Sequence, residues 1–187
     1  MTLENTAIGY WIFSLLAALW IMIPAYVPNS AAAALGGGTP IDFGKVCSDG
    51  RRVFGDGKTY RGFFGGVLCG ILAGLVEIWA WSSFNLTVLP RQTLLSVTLL
   101  AAGALLGDLA KSFLKRRLGK ERGESWPLAD QYDLVIGSFL LMLLIYPQWL
   151  FENITLPIAV WIVIITPLLH RVVNIIGYYI GVKEVPW

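Results

Sequence analysis

The chain is poor in charge and in reactive side chains. Among 187 residues there are one histidine, two cysteines, 14 Lys/Arg and 12 Asp/Glu. Cys47 and Cys69 form no CxxC pair, which argues against a disulfide framework or a Cys-ligated zinc site. Cys69 lies inside an apolar run and reads as a small packing residue. The amino-terminal apolar stretch has Glu4 before it instead of a basic segment and is too long for a signal peptide, so it reads as a retained helix. A formal net charge of +2 names no partner, and no nucleic acid is expected. "GDGKTYRG" (55–62) ends like a P-loop, but the earlier glycine falls at Arg52 and no strand precedes it, which excludes a Walker A motif. With 56% apolar residues, water is not the main solvent of this chain.

What the sequence has in quantity is long apolar runs. A helix needs about 20 apolar residues to cross the hydrocarbon core, and five runs qualify, near 7–27, 62–81, 93–110, 134–150 and 156–180. The expected fold is an all-α integral membrane protein with five transmembrane helices, forming a single membrane-embedded domain over 1–187. Five Lys/Arg fall in 28–61 and six in 111–132, whereas the other two connections hold only Arg91. The positive-inside rule then puts both long loops, 28–61 and 111–133, in the cytoplasm, with the amino terminus outside and the carboxyl terminus cytoplasmic. Trp79, Trp81, Trp149, Tyr146, Tyr178 and Tyr179 sit near span ends, as interfacial anchors do. Gly66, Gly70 and Gly74, four residues apart, would let another helix approach closely. Glu77 is expected to be satisfied by water or a neighbouring helix near the outer end of its span.

Polar chemistry gathers at one face. In "LLGDLAKSFLKRR" (105–117) a membrane-grade run stops at Asp108 and gives way to cations. Helical geometry sets Ser112 on the Asp108 face and Lys111 beside it, followed by Lys115 and Arg116. In "LADQYD" Asp130 and Asp133 are three apart and would share a face, with Asp130 able also to cap a helix. Three carboxylates can thus converge at one interface. Hard divalent ions such as Mg²⁺ take oxygen ligands and substrate phosphates, so the set suits a metal–nucleotide complex; the plainer alternative is a basic segment holding the protein on an anionic leaflet. "GDGKTYRG" presents Lys58, Thr59 and Arg61 at the same face, where backbone N–H groups and cations could hold phosphate. "LGGGTPIDFG" (35–44) is a turn-rich segment that could fold over such a site or serve as a linker.

"GDLAKSFLKR" (107–116) with Asp130-Gln131-Tyr132-Asp133 resembles the signature of the membrane CDP-diacylglycerol synthases, the phosphatidate cytidylyltransferases. Gly107, Asp108, Ser112, Lys115, Arg116, Asp130 and Asp133 match it in order, and "GDGKTYRG" looks like the family's Lys-Thr-x-x-Gly element. Glu121 replaces an aspartate, Gln131 replaces an arginine, and a His-Gly-Gly segment is missing. The small size, five spans, "GGGTPIDFG" and "HRVVNIIGYYIGVKEVPW" resemble the archaeal branch, CDP-archaeol synthase.

That resemblance implies cytidylyl transfer from CTP to an isoprenoid ether lipid phosphate, 2,3-di-O-geranylgeranylglycerol 1-phosphate, with release of pyrophosphate at the cytoplasmic face of the cell membrane. On this reading Asp108, Asp130 and Asp133 hold Mg²⁺. Lys58, Thr59, Ser112, Lys115 and Arg116 bind the CTP phosphates, and Arg61, Lys111, His170 and Asn174 steer the lipid head. Alternatives are a CTP-dependent polyprenol kinase, which would release CDP, and a small membrane transporter, although polar residues in mid-membrane are scarce. The spaced aspartates of CDP-alcohol phosphotransferases are absent.

Overall fold

The structure is a computed structural model and describes residues 7–121 and 123–182. Glu4, and residues 183–187 of the carboxyl-terminal segment compared above, lie outside the described residues. Among the described residues six helices follow in order: α1 (Ala7–Leu35), α2 (Tyr60–Ser83), α3 (Leu94–Arg117), α4 (Pro127–Ile145), α5 (Pro147–Asn153) and α6 (Leu156–Tyr179). All but α5 are long and apolar enough to cross a membrane, which agrees with the five expected spans.

The expected boundaries shift for local reasons. α1 continues through Pro24 and Pro28 into the alanine-rich stretch up to Leu35, since alanine is the strongest helix former. The first long connection is therefore 36–59 and not 28–61. α3 runs past Ala110 to Arg117, with Lys115, Arg116 and Arg117 in its last turn, where cations complement the helix dipole. α4 opens seven residues earlier than expected because Pro127 sits in its first turn, a position that needs no N–H donor. The second connection thus shrinks from 111–133 to 118–126. The expected span 134–150 is divided, since Pro147 begins the separate short helix α5.

Small residues set the helix spacing. Gly62, Gly66, Gly70 and Gly74 are buried along one face of α2, extending the stripe seen in the sequence by one turn. A Cβ added at Gly70 would lie 2.7 Å from the Pro24 carbonyl oxygen and 2.8 Å from Ala101 Cβ, so α2 touches α1 and α3 at one level. Pro28 has no N–H to give the Pro24 carbonyl, and that oxygen lies against the side-chain-free face of Gly70. α3 and α4 meet as closely. A Cβ at Gly103 would be 2.5 Å from Ser138 Cα, and one at Gly107 would strike the Asp133 carbonyl. Around these contacts, Ile21, Met22, Leu100, Ala104, Leu134, Met142 and Ile162 form the apolar core.

The connection between α2 and α3 is tied down by indole N–H groups. Trp20 donates to the Pro90 carbonyl at 3.1 Å, Trp81 to Leu89 at 3.0 Å and Trp149 to Arg91 at 2.9 Å. Trp149 is buried, so it acts as an internal tie and not as the interfacial anchor expected of it, whereas Trp79 is exposed as such an anchor should be. Glu77 is buried, and neither of its carboxyl oxygens accepts a hydrogen bond from a described protein group, which leaves water as the partner of the two expected for it.

Rigid backbone and proline surround Gly70, whereas a Cβ at Gly65 would meet only the Leu35 side chain. Gly70→Val should therefore destabilise the protein by about 1–3 kcal/mol or more through overpacking, and Gly65→Ala should cost far less. Thermal melting of both variants in detergent checks this.

Candidate active site

The helix approach at Gly107 brings the first turns of α4 against the last turns of α3, and there the charged residues meet. The Lys111 ammonium lies 3.1 Å from Asp108 Oδ1, 3.3 Å from Asp130 Oδ1 and 2.6 Å from Asp133 Oδ2. Lys58, delivered by the first long connection, pairs with Asp108 Oδ2. Lys115, one turn beyond Lys111, binds Asp130 Oδ1 at 2.7 Å and Oδ2 at 2.9 Å, and also reaches the Glu124 carbonyl at 2.8 Å. Three ammonium groups therefore interlock with three carboxylates in a largely buried cluster. Asp130 does not occupy the N-cap of α4, which is Trp126; its Oδ2 instead reaches back to accept from the Trp126 amide at 2.7 Å.

The cluster forms one wall of a cavity of about 260 Å³. α1 supplies Asn29 and Ala32, α2 supplies Gly62 and Phe63, α6 supplies His170 and Asn174, and Gly57, Lys58 and Thr59 come from the first connection. An apolar crevice of about 370 Å³ lies between α3 and α4, lined by Leu106, Ala110, Leu114, Ile136 and Leu140, and it reaches Lys111 and Asp133. Lys111 borders both spaces. A charged chamber and an apolar crevice thus share Lys111 in their walls.

Of the residues singled out in the sequence, Asp108, Asp130, Asp133, Lys58, Lys111 and Lys115 come together, and His170 and Asn174 line the same chamber. Thr59 also lines it, but its hydroxyl is engaged as the N-cap of α2, accepting from the Gly62 amide at 3.1 Å. Three others are placed elsewhere. Arg61 is exposed and donates through Nε to the Leu35 carbonyl at 2.8 Å and through its other arm to Gly36, closing the end of α1. Ser112 is buried and Arg116 keeps a buried Nε without a hydrogen-bond acceptor; neither lines the chamber. Asn29 and Glu124 line it without having been foreseen. Asp42, which stands within the quoted "GGGTPIDFG", was not singled out; an aspartate flanked by turn residues was its only signal in the sequence.

Carboxylate oxygen is the donor type that Mg²⁺ takes, and Asp133 Oδ2 accepts no hydrogen bond, being held by the Lys111 ion pair alone. Among the described residues no group of three or more His, Cys, Asp or Glu is arranged to hold a metal ion. The cation these carboxylates hold is the Lys111 ammonium. The donor set fits a divalent ion in chemistry, and Lys111 occupies the point where its oxygens converge.

Comparison with known proteins bears on this geometry. A family model described as "CarS-like: CDP-archaeol synthase" matches residues 11–187. A CDP-archaeol synthase of Methanoculleus marisnigri is 81% identical over 166 residues, covering 89% of this chain and all of that protein. One from Methanosarcina barkeri is 50% identical over 175 residues, with the same coverage. A solved structure, described as that of an intramembrane enzyme for archaeal membrane lipids biosynthesis, superposes with a TM-score of 0.70 at 37% identity, covering 86% of this chain and 94% of that one.

Removing the central cation leaves three carboxylates facing one another. Lys111→Met should lower stability by about 3–5 kcal/mol, the cost of breaking a buried ion pair. Lys120→Met, which removes a surface pair with Glu124, should cost less than about 1 kcal/mol. Melting both variants at neutral pH measures the contrast.

Proposed function

The chain belongs to the CDP-archaeol synthase family, and from that premise we propose that this cytidylyltransferase of archaeal lipid synthesis takes 2,3-di-O-geranylgeranylglycerol 1-phosphate as its acceptor. A phosphate oxygen of the lipid attacks the α-phosphorus of CTP; a new P–O–P linkage forms as the α–β bond breaks, and pyrophosphate leaves. The observation that carries this reading is the meeting of a charged chamber and an apolar crevice at Lys111. A nucleotide suits the first, and an isoprenoid tail suits the second. Pyrophosphate as the leaving group separates the reaction from that of a polyprenol kinase, which would leave CDP.

The chain's own residues supply orientation and charge. Lys58 and Lys115 line the chamber with ammonium groups that can exchange a carboxylate for a phosphate oxygen. Thr59, as N-cap, sets the start of α2 beside them, and His170 and Asn174 of α6 line the same chamber with polar side chains. Lys111, at the junction of both spaces, is suited to stand between the two anionic groups. Displacement at phosphorus requires alignment and neutralisation more than a protein nucleophile, so no serine or cysteine is needed. Three ammonium groups are already matched by three carboxylates, and a triphosphate adds negative charge that calls for a further cation. Asp108, Asp130 and Asp133 would hold that ion, taken to be Mg²⁺, which when bound polarises phosphoryl oxygens and stabilises the departing pyrophosphate.

The enrichment of Lys/Arg in 28–61 and 111–132 supports a cytoplasmic position for this end of the bundle, in a multi-pass protein of the cell membrane. CTP and membrane lipid then arrive from the two phases in which each is abundant.

Purified protein given CTP, Mg²⁺ and the geranylgeranyl ether lipid phosphate should form CDP-lipid and pyrophosphate, with a diacyl lipid phosphate used less well. Asp108→Ala and Asp133→Ala should each lower turnover by at least about a hundredfold while still inserting and folding. Near-normal turnover in either variant, or CDP as the nucleotide product, would count against the assignment.

A further inference from the structure

Asp42 lies in the connection between α1 and α2, with its side chain only 1% exposed. Its carboxylate accepts five hydrogen bonds. Oδ1 takes the Gly44 amide at 3.1 Å and Arg52 Nη2 at 2.6 Å. Oδ2 takes Arg52 Nε at 3.3 Å and the amides of Phe54 and Gly55, both at 3.0 Å. Burial pushes this carboxyl up, but the Arg52 guanidinium and the three amides outweigh it and hold the group well below the usual carboxylate range. Asp42 is therefore ionised throughout the physiological pH range. It does not line the chamber.

The backbone held by this carboxylate leads to Lys58 from two directions. The Gly55 carbonyl, on the residue whose amide Asp42 binds, accepts from the Lys58 amide at 3.2 Å. The Ile41 amide, on the residue preceding Asp42, donates to the Lys58 carbonyl at 2.8 Å. Both main-chain groups of Lys58 are thus fixed within one residue of an Asp42 contact, and its ammonium reaches Asp108. We infer that Asp42 is a positioning residue for the reaction, acting on the nucleotide phosphates solely through the placement of Lys58. The inference rests on the role proposed for Lys58 above.

A double-mutant cycle on the full-length protein tests it, with Asp42→Asn, Lys58→Met and the double variant. Affinity for CTP is measured by equilibrium dialysis and kcat/KM with the lipid phosphate as acceptor. Asparagine is isosteric but presents an amide group where an acceptor oxygen stood. Asp42→Asn should weaken CTP binding and kcat/KM by about ten- to a hundredfold, mostly through KM. Lys58→Met should do at least as much, and the double variant should be no worse than Lys58→Met alone. A full Asp42→Asn penalty persisting in the Lys58→Met background would overturn the inference, and so would an Asp42→Asn protein of unchanged affinity beside a weakened Lys58→Met. Normal CTP binding by Lys58→Met would instead remove the role of Lys58 itself. If Asp42→Asn fails to give a cooperative melt, Asp42→Glu, which keeps the charge on a longer arm, carries the same cycle.

Discussion

A single ammonium group organises the polar end of this protein. Lys111 holds carboxylates from two helices within 3.3 Å, and without it Asp108, Asp130 and Asp133 would repel one another in a setting that screens charge poorly. The arrangement depends on apolar geometry elsewhere. Asp133 can face α3 only because Gly107 has no side chain to hold α4 away. Glycine on one helix and lysine one turn later on the same helix form a single device: the first admits the acid, the second neutralises it.

Much of this was legible in the sequence. The five spans followed from apolar run length, and Asp108, Lys111 and Lys115 share a stripe because helical spacings of three, four and seven residues keep side chains within about 60° of one another. A motif match assigned Arg116 to the phosphates, but it lies about two turns beyond Asp108, keeps a buried Nε without a hydrogen-bond acceptor and does not line the chamber. Arg61 lay near the right place in the chain, but the unfilled carbonyls at the end of α1 claim it. Such competition for a donor depends on the spatial neighbour, which no local pattern encodes. The span ends were the least legible. The first apolar run ended near residue 27, yet packing against α2 and the alanines that follow carried α1 onward.

The connection 36–59 shows how a segment rich in glycine and turn residues acquires definite shape. Its order comes from one buried carboxylate and from arginines at its margin. Arg117 of α3 pairs with Asp49 at 2.8 Å and donates to the Arg52 carbonyl at 2.6 Å. The segment is therefore bonded to the end of the helix that carries Asp108 and Lys111, and loop and helix present one continuous wall to the chamber.

The indole bonds at the opposite end have a mechanical corollary. Trp20, Trp81 and Trp149 anchor 84–93 to three different helices or their neighbours. With that end laced shut, the bundle resembles a set of rods clamped at one tip. Bending that widens a passage for a bulky lipid product must then grow with distance from the clamp and be largest where the ionic wall stands.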